Sequence, residues 1–228
     1  MFCLTHWNKN IPFLDWKSVP SQASYLKRVK KRLCTHQLEG ILGDKLTVFA
    51  PYTVGIRFGA GKSMEIIKQL FDIGELFDHC RDIKTIIEAY KATQAQESEY
   101  RKPKHSWDAS LQDTIETSFL VSQYLLKGYK SDAETAEIAT GLKQIENHLL
   151  SVPFKIDQAR VATSKIALLA SIVQKGDSAL PLEKMRYDSS QNKILLTVEL
   201  SGPFEILNRL KKLQQFEAFH YWMQVSQM

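Results

Sequence analysis

Cysteine is scarce in this chain of 228 residues: there are three, far apart, at Cys3, Cys34 and Cys80. An odd count so scattered argues against a disulfide framework and for a reducing compartment. No uninterrupted apolar run approaches the roughly 20 residues that a membrane span needs. The first residues, Met1-Phe2-Cys3-Leu4-Thr5-His6-Trp7, lack the basic n-region and apolar h-region of a secretory signal. Cytoplasm is therefore the expected location, with no membrane span. Internal repeats and long low-complexity tracts are missing too, which leaves no case for a solenoid. What is present is ordinary in bulk. Hydrophobic residues make up 44% and charged ones 24%, the composition of a globular chain long enough for one good-sized core or two small ones.

The net charge of +5 is mild, but its distribution is uneven. Lys27, Arg28, Lys30, Lys31 and Arg32 put five positive charges within six residues. Tyr25, Leu26, Val29 and Leu33 follow helical spacing through the same stretch. The simplest reading is a helix with one buried side and a solvated basic side. A nucleic-acid surface or an acidic protein partner are the alternatives, and no recognised nucleic-acid signature accompanies the charge.

Along the chain, Trp7, Phe13 and Trp16 stand beside Pro12 and Pro20, so the start is expected to lie extended over its own core or a partner. Gly40 and Gly43 bracket an expected turn, followed by two short strands at Lys45–Ala50 and Tyr52–Phe58. Ser63 is a candidate cap for a helix opening at Met64, and near-helical spacing persists to Tyr90, with Gly74 as a kink or a boundary. The pattern dissolves between Ala95 and Asp108, the best linker. A further helix ends near Gly128, and Ser131 through Glu134 fits a capping box for the next, which stops before Pro153. The expected units are 1–96, a helical region with a short hairpin; 97–108, a linker; 109–155, a helical hairpin; and 156–228.

That last unit reads as helix, strand, strand, helix, strand. Val161, Ile166, Leu169, Ile172 and Val173 recur near helical spacing, with Gly176 as a C-cap. Leu182–Tyr187 and Lys193–Leu200 are β-prone runs split by a loop of turn formers. Phe204–Phe216 is amphipathic, and His220–Val225 is an aromatic, β-branched closing strand. The expected fold class is α+β, mostly helical at first and closing on an αββαβ ferredoxin-like unit. From Leu180-Pro181-Leu182 through Trp222, this pattern resembles the ferredoxin-like domains of type IV pilus and type II secretion assembly proteins. The resemblance covers about the last seventy residues and implies a scaffold-type interaction domain. The transmembrane helix that those proteins carry near their N-terminus is not found here.

Chemistry-bearing motifs are few. Gly55 to Ser63 reads G-I-R-F-G-A-G-K-S, close to a phosphate-binding loop. The motif G-x-x-x-x-G-K-[ST] wants its first glycine at position 56, where Ile56 stands, so a glycine turn leading into a helix is the better reading. Cys3 with His6, Cys34 with His36, and His79 with Cys80 lack the spacing that sets two metal ligands on one turn. Asp72, Glu75 and Asp78 fall three apart on one helical face and read as a solvated acidic side. We therefore expect no enzyme, no cofactor and no metal, but an adaptor or scaffold subunit in a hetero-oligomer with other protein subunits. Its expected partner-binding residues are Trp7, Phe13, Trp16, Lys27, Arg28, Lys31, Tyr221 and Trp222. A nucleic-acid module using Lys27–Arg32 and a phosphate-binding protein using Gly59–Ser63 are the alternatives.

Overall fold

The computed structural model describes residues 35–146, 148–149 and 153–228. Six helices of three or more turns come first: α1 (Thr35–Val48), α2 (Ser63–Phe77), α3 (Ile83–Glu99), α4 (Trp107–Gln123), α5 (Ala133–Glu146) and α6 (Ile156–Lys175). Two single-turn helices, α7 (Asn192–Leu195) and α8 (Arg209–Lys212), and a final α9 (Phe216–Ser226) follow, interspersed with three short 3-10 segments. No strand occurs among the described residues. The α+β expectation, with its hairpin and its ferredoxin-like unit, is thus overturned, and with it the strand pattern on which the secretion-protein resemblance rested.

The physical reason is a competition between propensity and period. His220–Val225 is aromatic and β-branched, but Ala218, Tyr221, Trp222 and Val225, spaced i, i+3, i+4 and i+7, are buried together with Phe219 and His220, whereas Met223 and Gln224 are not fully buried. That spacing is a helical face, and burial overrides intrinsic β preference. Leu38, Leu42, Leu46 and Phe49 are buried in the same way, so Lys45 to Val48 continue α1. The residues expected to form the second strand of the hairpin wind instead into turns. Ala50 accepts backbone hydrogen bonds from Thr53 and Gly55, and the Asp113 carboxylate of α4 accepts from the Tyr52 amide at 2.9 Å and the Thr53 hydroxyl at 2.8 Å.

The centre of the fold is α6. Every residue from Ala162 to Val173 is buried, as befits a helix surrounded by others. Helices α2, α4 and α9 pack on it, α5 covers α2, and α1 pairs with α3 alongside α2 and α4. Buried hydroxyls on α6 are satisfied locally: Thr163 donates to the Ala159 carbonyl at 2.9 Å, and Ser171 to that of Ala167 at 2.8 Å. Gly176 ends the helix in left-handed backbone, its amide bonding back to Ile172 and Val173, as its position in the sequence implies. The cap before α5 falls one residue later than expected. Asp132 and Thr135 form the reciprocal pair, each side chain accepting from the other's amide at 2.9 Å.

One buried cluster runs from Leu38 to Val225, on both sides of the polar stretch 97–108. That stretch is divided among the last turn of α3, a loop, and the start of α4. Arg101 in the loop donates to the carbonyls of Val54 and Gly55 at 2.6 and 3.0 Å. Gly43 does not turn the chain but lets α1 approach α3. A Cβ there would stand 2.5 Å from the Ile86 carbonyl oxygen and 2.8 Å from the Ala89 Cβ. Gly74 likewise lies inside α2, against Ala162. Gly43→Ala is expected to cost about 1–3 kcal/mol through overpacking, read as a lower denaturant midpoint at unchanged slope. An unchanged midpoint would mean that the two helices do not meet at this glycine.

Candidate interaction surface

Of the residues expected to bind a partner, Trp7, Phe13, Trp16, Lys27, Arg28 and Lys31 lie outside the described residues, as do Cys3, His6 and Cys34. The remaining two are interior. Tyr221 and Trp222 are 1% and 0% exposed. Trp222 donates its indole N–H to the Ser122 hydroxyl at 2.9 Å and packs against Phe119 and Phe204. Tyr221 meets Phe77 edge to face, and its hydroxyl accepts from the Tyr187 amide at 3.2 Å. They belong to the core because α9 turns that side toward α6.

The glycine loop before α2 carries an anion of the chain's own. The Gly59 amide donates to Glu137 at 2.6 Å, and the Ser63 hydroxyl donates to the other oxygen of the same carboxylate at 3.3 Å. Cys80 is fully buried, and burial pushes its thiol well above the ordinary value. Among the described residues, no group of three His, Cys, Asp or Glu side chains is placed to hold a metal ion. No described helix is long and apolar enough to cross a membrane.

The acidic face of α2 is not simply solvated. Asp72 pairs with Lys45 at 2.8 Å, and Asp78 pairs with Lys165 at 2.8 Å. Lys165, on the buried helix α6, also reaches Glu217 of α9 at 3.2 Å. Burial alone would lower the Lys165 ammonium, but Asp78 and Glu217 together outweigh it and hold the group above its ordinary value. The lysine is therefore a fixed cation rather than a free amine nucleophile. Beside it opens a cleft of about 450 Å³, walled by Phe71, Phe154, Val161 and Phe216 and reaching Glu75 and Asp157.

Burial raises the Glu75 carboxyl, and Asp78 raises it further, against the pull of Lys165. A carboxyl raised on folding destabilises the protein when ionised, and the penalty disappears as pH falls through the raised value. Glu75→Gln is accordingly expected to raise Tm by about 1–3 °C near neutral pH. The gap to wild type should close as the pH approaches 4.5, the unperturbed carboxyl value. A constant separation across that range would assign the effect to something other than ionisation.

The turn that borders this cleft and the turn after α4 both meet Arg160, and each carries one exposed leucine, together an apolar ridge. Among the described residues, two non-glycine residues have left-handed backbone, Leu125 at φ 63° and Gln214 at φ 58°. Leu125 is itself 63% exposed, and Leu213, next to Gln214, is 51% exposed. One buried side chain braces both turns. The Arg160 guanidinium of α6 donates to the Tyr124 carbonyl and, at 3.5 Å, to the Gln215 side-chain carbonyl; it also pairs with Asp157 at 3.3 Å. The Gln215 amide in turn donates to Asp157. Thus two segments far apart in the sequence present their leucines from a shared anchor. Past the ridge lies an open groove of about 850 Å³ whose lining includes Leu196, Pro203, Ile206, Arg209 and Lys212.

Sequence spacing missed Lys165, Arg160, Leu125 and Leu213. A lysine inside the alanine- and leucine-rich middle of α6 was the available signal for the first. The strained positions left none, since neither Leu125 nor Gln214 is the glycine or asparagine that ordinarily marks left-handed backbone. No family model, no curated protein and no solved structure matches the chain. Fold and surface together define an all-helical protein, over the described residues, built round one buried helix and bearing a braced apolar ridge.

Proposed function

We propose that the protein is a non-catalytic adaptor subunit that works by docking another protein subunit in a hetero-oligomer. The observation that carries this reading is the ridge of Leu125 and Leu213. Left-handed backbone at a residue with a Cβ costs about 1–2 kcal/mol, and large exposed leucines gain nothing from water. Strain of this kind, held by a buried arginine, has a use where a partner covers the side chains it displays.

The ridge supplies a direct test. A photo-crosslinking amino acid at position 213 of the full chain, in cells that make the protein natively, is expected to trap one discrete partner. The same group at exposed Lys68 serves as the control. Leu125→Gly should relieve the strain, raising Tm by about 2–4 °C for roughly 1 kcal/mol, while weakening the crosslink at position 213. No crosslink, or the same ladder from both positions, would sink the adaptor reading. A fall in Tm for Leu125→Gly would remove the strain argument.

A further inference from the structure

We infer that the groove beside the ridge takes an amphipathic helical segment of a partner protein, apolar on one face and acidic on its flank. This rests on the adaptor reading and adds the chemistry of the partner. The groove offers Leu196, Pro203 and Ile206 as apolar surface, and the two exposed leucines of the ridge are close in sequence to residues that line it. Leu125 sits three residues before Gly128, and Leu213 directly follows Lys212; both Gly128 and Lys212 line the groove. A segment lying there meets large aliphatic side chains along one face, the arrangement by which grooves hold helices through i, i+3, i+4 and i+7 anchors.

Charge decides which amphipathic segment fits. Lys211 is already engaged, pairing with Glu199 at 2.8 Å and donating to the Val198 carbonyl. Arg209 and Lys212 on the lining, and Lys127 on the adjoining turn, have no carboxylate partner among the described residues. Glu205 is the one lining acid not paired within the groove. Arg209 lies against Gly128, with its guanidinium 2.8 Å from where a Cβ on that glycine would stand. With Lys211 and Glu199 paired, the free charges of the lining are Arg209 and Lys212 against Glu205, a net positive charge beside the apolar side chains. A basic segment would meet repulsion from Arg209, Lys212 and Lys127, whereas an acidic one is steered in and held in register.

The experiment uses the immobilised full chain and a phage library of random sixteen-residue peptides. Wild type is expected to enrich peptides with helically spaced Leu, Ile or Phe and an excess of Asp and Glu. A synthetic copy of the most enriched peptide should bind at least tenfold more weakly to Arg209→Glu/Lys212→Glu, and more weakly as salt rises. Lys68→Glu should bind it as wild type does, and circular dichroism melts of all variants check that each is folded. No enrichment, enrichment of basic peptides, or indifference to the double charge reversal overturns the inference. So does a single-stranded 30-mer oligonucleotide that binds wild type and is lost in the double variant, since the groove would then serve nucleic acid. Self-association of the full chain, abolished by Leu213→Glu, overturns it in favour of a second copy. A discrete partner other than a second copy, crosslinked at position 213 with any of these results, leaves the adaptor reading standing and removes only the acidic helix.

Discussion

Trp222→Ala is expected to destabilise the protein by about 3–5 kcal/mol, with Tm falling on the order of 10 °C for a chain of this size. The side chain is wholly buried, and its removal leaves a large cavity between α9, α4 and the 3-10 segment that carries Phe204. It also takes from the Ser122 hydroxyl the hydrogen bond of the indole, leaving the one shared with the Thr163 hydroxyl of α6 at 3.0 Å. Trp222→Phe should recover most of the packing but not that hydrogen bond, costing about 1–2 kcal/mol. Chemical denaturation of the three proteins checks both values. A surface tryptophan reserved for a partner would shift stability by no more than about 0.5 kcal/mol, and that outcome would contradict a helical, inward-facing α9.

Lys165→Met is expected to cost about 2 kcal/mol, less than the 3–5 kcal/mol of a fully buried pair. The reason is that its partners are part-exposed, 43% for the Asp78 side chain and 36% for Glu217, so water compensates them when the ammonium is gone. The sign of the pH dependence follows from the raised ammonium value. Its stabilising contribution is complete below the ordinary 10.5 and fades as pH rises through the folded value. The Tm difference between wild type and Lys165→Met should therefore stay level between about pH 7 and 9 and narrow at higher alkalinity. Adding Glu217→Gln to Lys165→Met should restore part of the loss, because one of the carboxylates left without its cation is then neutral. If Lys165→Met is neutral and the double variant no better, α6 is not tied to α2 and α9 through this ion.

Several elements were legible without the fold. The helix now seen as α6 and its Gly176 stop, and the cap near Ser131, rest on rules that act within a few residues; α2 does begin beside Ser63, but Ser63 is its first helical residue and donates to Glu137 instead of capping it. The C-terminal quarter was not legible in the same way. α7 and α8 are four residues each, too short for any period to show. In α9, a run of Phe, Tyr, Trp and Val carries β propensity and a helical face at once, and only its neighbours decide between them. Gly40 and Gly43 looked like turn formers because a glycine that permits close helix packing has no local mark to distinguish it.

By itself, then, the amino-acid order determined that the middle of the chain forms amphipathic helices, where α5 begins and where α6 begins and ends, and that no apolar run is long enough to span a membrane, but not that the chain is without strands over its described residues. These follow from side-chain period, capping and composition, which are properties of neighbouring residues. The tertiary structure alone decided that Tyr221 and Trp222 face inward and that Lys165 meets Asp78, 87 positions away, and Glu217. It alone decided too that Arg160 ties the Leu125 and Gln214 turns together. Each of these depends on separate segments packing around α6, and contact between distant residues is set by how whole faces are buried, not by any spacing along the chain.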